Sequence, residues 1–183
     1  MNSLLRTFLL AASIISLTGA ATAQDHDKQC PMDKCQRCPM HDQHAPASHD
    51  ETVQKNGDQA MGFPHDKTTH HFRILAEGGA IEVTANDPAD SADINAIREH
   101  LSHIAMMFRD GDFSTPMHVH DSIPPGTTTM KLLKDKISYA YEETAAGGRV
   151  RIASKDAIAV AAIHDFLRFQ ITEHHTGDSL DLN

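Results

Sequence analysis

The feature that most narrows the fold is a unit that occurs twice: two alternating apolar runs around a Gly-Gly pair, then an apolar stripe of helical period. In the first copy, His71-Phe72-Arg73-Ile74-Leu75 precedes Glu77-Gly78-Gly79, and Ile81-Glu82-Val83 follows. Alternation with period two places Phe72, Ile74, Ile81 and Val83 on one face of a β-hairpin. Asp87-Pro88 and Asp90-Ser91 supply turn and helix-start chemistry. Ile94, Ile97, Leu101, Ile104, Ala105 and Phe108 then recur at the spacing of one helix face. In the second copy, Ile137, Tyr139 and Tyr141 alternate with polar residues, Gly147-Gly148 makes the turn, and Val150 and Ile152 form the return strand. Lys155-Asp156 opens a second helix from Ala157 to Glu173. The apolar faces of hairpins and helices are buried together when the helices lie on the sheet. The expected fold is therefore α+β: duplicated ββα units forming a four-stranded, mainly antiparallel sheet with two helices on one face. The connection from Phe113 to Lys136 is long for a compact domain and is expected to hold a short helix near Thr128 to Lys134; such connections tend to carry function.

The duplicated domain is expected over residues 68–183. Residues 1–23 read as a secretory signal peptide: Arg6 is the positive charge, Phe8 to Leu17 an apolar run too short to span a bilayer, and Ala21-Thr22-Ala23 a small-x-small cleavage site before Gln24. The expected location is periplasmic or secreted, with no membrane insertion after signal removal. Residues 24–67 read as a disordered tail, rich in Asp, Lys, Gln, His and Pro and nearly free of branched apolar residues, so that burial does not offset ordering entropy.

The formal net charge is −9, and losing Arg6 with the signal makes the chain more acidic still. That balance excludes nucleic acid and anionic lipid as partners, since both require a basic face. Against this ordinary background stand fourteen His, eight Met and three Cys. All three Cys fall in the tail, within Cys30-Pro31-Met32, Cys35 and Cys38-Pro39-Met40-His41. An odd number cannot pair completely in an exported protein, which leaves a bridge with a spare thiol, an intermolecular bridge, or a cluster kept reduced by metal. Thiolate and thioether are soft ligands and imidazole is borderline, a mixture that selects Cu(I) or Zn over Ca, Mg or Mn. The methionines favour copper, whereas zinc would take three thiolates and an imidazole, here Cys30, Cys35, Cys38 and His41.

The domain offers two further ligand sets. On a helical wheel His100, His103 and Met107 form a row beside the apolar stripe. In Met117-His118-Val119-His120-Asp121, an extended backbone would point His118 and His120 to the same side as a bidentate pair, with Met117 as a soft addition and Asp121 available to fix an imidazole tautomer. His70-His71 and His174-His175 adjoin element ends and read as solvated, and His164 reads as a packing or capping residue. The expected metal ligands are therefore Cys30, Met32, Cys35, Cys38, Met40 and His41 in the tail, with His100, His103, Met107, Met117, His118 and His120 in the domain. There is no Gly-x-Ser-x-Gly elbow, Gly-rich phosphate loop or His-Glu-x-x-His, and a tail cysteine lacks the rigid surroundings that nucleophilic catalysis needs. An enzyme is the lesser expectation.

Thr68-Thr69-His70-His71-Phe72, His100-Leu101-Ser102-His103-Ile104, His118-Val119-His120-Asp121 and Phe166-Leu167-Arg168-Phe169-Gln170-Ile171 resemble a small family of bacterial exported proteins. The resemblance covers roughly Met61 to Asp178 and implies a single exported domain, with no activity attached. Sequences of this kind sometimes carry the label aspartate carbamoyltransferase; that enzyme has two domains and a Ser-Thr-Arg-Thr phosphate loop, and this chain has neither the length nor the loop. The Cys-Pro-Met tail separately resembles the soft-ligand segments of periplasmic copper-handling proteins. The resulting expectation is a periplasmic metal-binding protein, copper foremost, that sequesters the ion, confers tolerance, or passes it to a periplasmic copper protein or efflux component. The alternatives are a haem-binding domain using His100, His103 or His118, a metal-dependent enzyme built on His118 and His120, and a metal-free envelope interaction domain.

Overall fold

Both Gly-Gly pairs do more than turn the chain. In the computed structural model, which describes residues 48–182, the turns fall at Ala76-Glu77 and Ala145-Ala146, and each glycine pair begins the return strand. The strands are β1 (Thr68–Leu75), β2 (Gly78–Ala85), β3 (Ile137–Thr144) and β4 (Gly147–Ser154). They form one antiparallel sheet in the order β1-β2-β4-β3. Register places Phe72, Ile81, Val150 and Tyr141 in one rung, and Ile74, Gly79, Ile152 and Tyr139 in the next. A side chain at Gly79 would collide with the Arg73 carbonyl and with the Leu167 methyl. The bare backbone there is thus what admits a helix to the sheet.

The α+β expectation holds: a four-stranded antiparallel sheet carries helices over its apolar face. α1 is His49–Met61, α2 Ser91–Asp110, α3 Ser114–His120, α4 Thr127–Leu132 and α5 Ala157–Glu173, with single 3₁₀ turns at His65–Lys67 and Lys134–Lys136. α2 lies over β3 and β4, and α5 over β1 and β2. The stripe Ile94, Ile97, Leu101, Ile104, Ala105 and Phe108 is buried as its spacing requires. Asp90 caps α2 by accepting from the amides of Ala92 and Asp93, and Asp156 caps α5 by accepting from those of Ile158 and Ala159. Phe108, Phe113 and Phe166 meet between the helices, with centroids 4.6–6.2 Å apart. On the opposite sheet face, charges pair across strands: Arg149 lies 2.6 Å from Glu82 and 3.6 Å from Glu142. Along the edge of β1, Asp178 accepts from the Phe72 amide and stands 2.9 Å from His71 Nδ1, holding the C-terminal segment to the sheet. Among the described residues no helix is long and apolar enough to cross a membrane.

Two local expectations are corrected. The tail does not remain irregular up to residue 67, because α1 occupies its last part. Ser48 and Glu51 form a reciprocal capping box, Gly62 closes the helix in the left-handed conformation, and Val53 and Gly57 are buried. Capping and one narrow contact line stabilise this helix in place of a broad apolar face. Second, Met117-His118-Val119-His120 is helical and not extended. Phe113, Pro116 and Val119 are all buried, a spacing of three that a helix satisfies and a strand does not.

Candidate functional site

His70 shares the even-numbered face of β1 with Phe72 and Ile74, so it points towards the helices. His174 immediately follows α5, four residues beyond buried Gln170 and seven beyond Leu167. His100 flanks the α2 stripe, and His120 ends α3 with its side chain fully enclosed. These four imidazoles line one cavity of about 90 Å³ together with Met61 of α1, Gln170, Phe72 and Phe166. The His120 and His174 rings are nearly perpendicular at 4.9 Å, and His70 stacks on His174 at 6.2 Å. Phe72 lies 5.6 Å from His174, and Phe63 meets His100 edge-on at 5.8 Å.

Electrostatics keep these imidazoles neutral. Burial, reinforced by neighbouring imidazoles, pushes His70 and His100 down to about 4 and His174 down to about 3. His120 is lowered by burial as well, against opposing influences from Gln170 and Glu173. His120 Nε2 is 3.2 Å from Gln170 Oε1. With that oxygen as acceptor, the His120 proton sits on Nε2, and Nδ1 presents a lone pair. Nδ1 has no hydrogen-bond partner and lies 3.7 Å from Glu173 Oε2; the Gln170 amide nitrogen is also unpartnered. A buried lone pair beside a carboxylate is an unfavourable arrangement that a proton or a cation relieves. Neutral imidazole is also the ligating form.

α1 covers one side of this region. His49 Nε2 is 2.6 Å from Glu173 Oε2, and its pKa is raised by that hydrogen bond; His175 is 3.5 Å from Asp50, and the Asn56 amide donates to the carbonyl of His118. A second cleft of about 260 Å³ opens beside α1, lined among others by Asp50, Thr69, Glu173 and His175. Among the described residues, no three His, Cys, Asp or Glu side chains stand together at ligating geometry. The cavity as shaped offers pairs of imidazoles and a nearby thioether.

Of the residues singled out in the domain, the cavity takes in His100 and His120 alone. His103 is exposed on the outer side of α2. Met107 packs against the core, and its sulfur accepts from Thr115 Oγ1 at 3.6 Å. Met117 and His118 are exposed on α3. The bidentate His118–His120 pair is not formed: positions two apart on a helix diverge by about 200°, so His120 turns inward and His118 outward. Cys30, Met32, Cys35, Cys38, Met40 and His41 lie outside the described residues. Sequence reasoning missed His70, His174 and Met61. Two of these had a legible signal: His70 follows the parity of Phe72 and Ile74, and His174 continues the Leu167-Gln170 stripe. No family model, no curated protein and no solved structure matches this chain, so its chemistry is read from these residues alone.

Proposed function

We propose that this is an exported, periplasmic copper-binding protein that sequesters the ion or passes it to another periplasmic copper protein or efflux component. The observation that carries the reading is the convergence of four neutral imidazoles, His70, His100, His120 and His174, on one small cavity containing an unpartnered buried Nδ1. The tail adds thiolates and thioethers, the donors that favour Cu(I). In the domain, His120 and His174 are the closest pair, with His70 stacked behind. Cu(I) is satisfied by two or three such donors, whereas structural zinc takes a closed set of four, and no set of even three stands at ligating geometry among the described residues.

The test is metal retention by the mature protein, kept reduced, offered Cu(I) or Zn(II), passed through gel filtration and analysed for bound metal. Copper is expected to remain bound in wild type and in the triple variant Cys30→Ser, Cys35→Ser, Cys38→Ser, and to be lost from the domain when His174→Gln is added to that variant. Retention of neither metal by wild type refutes the proposal. Retention by the tail alone, abolished by the cysteine substitutions, removes the cavity from it.

A further inference from the structure

The cavity has a soft-ligand approach from the surface. Between the C-terminal end of α1 and the outer side of α2 runs an open groove of about 560 Å³, lined by Met61, Glu99, His100, His103 and Met106. Met106 is 51 % exposed, and His103 is exposed as well. His100, His103 and Met106 succeed one another at intervals of three residues, which makes them neighbours along α2. Met61 and His100 line this groove and also the interior cavity, standing at the wall between the two. We infer that Cu(I) enters the domain through this groove, captured by His103 and Met106 and relayed by Met61 and His100 to His120 and His174.

This inference rests on the copper reading of the cavity and specifies how the ion reaches it. A bare cation cannot cross an apolar wall, because desolvation without replacement ligands is prohibitively expensive. It moves where each new donor binds before the previous one leaves, so donors must be continuous from solvent to interior. Methionine suits the central step: its unbranched chain and polarizable sulfur swing with little steric cost. The Glu99 carboxylate at the groove attracts a cation without binding a soft one tightly. The other cleft beside α1 is lined by His65, His70, His174 and His175 as well as by Met61, but where the groove has a second thioether it has the hard donors Asp50, Glu173 and Thr69. The two thioethers make the groove the softer path for Cu(I), and the rates in Met106→Leu distinguish the two approaches.

Kinetics separate a path from a final site. A path ligand lowers the barrier in both directions, so its loss slows uptake and release in proportion and leaves affinity nearly unchanged. Loss of a final ligand accelerates release. The experiment uses the full mature chain with Cys30, Cys35 and Cys38 replaced by Ser, and Cu(I) supplied as its bicinchoninate complex, with uptake followed by absorbance. Met61→Leu and Met106→Leu should each slow both uptake and release by about tenfold, and Asp50→Asn should leave both rates unchanged. With Ag(I) as a diamagnetic probe, the Met106 and Met61 methyl resonances should shift before the His174 ring. Wild-type rates in both methionine variants overturn the route, as does an Ag(I) response at His174 with silent methionine methyls. Accelerated release in Met61→Leu overturns its role as a relay. If the wild-type domain takes up neither ion, the copper reading itself falls, an outcome distinct from uptake by another path.

Discussion

Lowering the pH should destabilise the metal-free domain well above the range in which its carboxylates protonate. The perturbation is a shift from pH 7.5 to pH 5 in protein stripped of metal. In the folded state His70 and His100 titrate at about 4 and His174 at about 3, whereas the ordinary value is 6.5. A folded-state pKa below the unfolded one means that the unfolded chain binds more protons, so stability falls as pH drops below 6.5 and levels off below the folded-state values. At pH 5 each independent histidine would withdraw about 2 kcal/mol, at 1.36 kcal/mol per pH unit. His70 lowers both His100 and His174, so the three do not titrate independently and the sum is an upper bound. A loss of about 3–6 kcal/mol is expected, against a typical domain stability of about 5–15 kcal/mol. His49 acts in the opposite sense, losing its contribution as pH rises through its raised pKa, but it is fully exposed and weak. Asp90, Asp112, Asp156 and Asp178 are lowered from 3.8, so their contributions disappear only as pH falls below that value. Urea unfolding followed by circular dichroism at pH 7.5, 6 and 5 measures the slope. Equal stabilities at pH 7.5 and pH 5 would refute the claim that these imidazoles are held neutral by burial.

Other outcomes follow from the packing. Phe166→Ala empties a position 1 % exposed between Phe108 and Phe113 and should cost about 3–5 kcal/mol in urea unfolding. Gly79→Ala should destabilise the fold, since the new methyl meets the Arg73 carbonyl and Leu167; Gly57→Ala, whose methyl meets only Met61 at 3.7 Å, should raise stability by about 0.5–1 kcal/mol. Asp178→Ala removes the acceptor of the Phe72 amide at 2.9 Å and should cost about 1–3 kcal/mol, with faster hydrogen exchange at that amide.

The duplicated hairpin-helix units were readable because burial is written into their periods: Phe72, Ile74, Ile81 and Val83 alternate, and Ile94 to Phe108 recur every three or four residues. Helix α1 was not, because its stability comes from Ser48, Glu51, Gly62 and a thin contact at Val53 and Gly57. Composition argued for disorder, and a capping box is too local a signal to outweigh it. The histidine cavity was half legible. Spacing singles out His100 and His120, but the His-x-His pattern suggests an extended backbone where the series Phe113, Pro116 and Val119 marks a helix. His70 and His174 lie near element ends, where a histidine ordinarily meets solvent, although both continue buried stripes. What no local pattern reveals is that residues a hundred positions apart face one another.

The meeting of β1 with the residue that ends α5 has a mechanical consequence. His70 and His174 stack across nearly the whole length of the domain sequence. A ligand gripping both clasps residues about 100 positions apart and binds only the folded chain, so it stabilises the fold by mass action, by about 4 kcal/mol at a thousandfold excess over its Kd. Cargo and clasp would then be the same atom, and a molecule that has delivered its load would be the easier one to unfold and degrade.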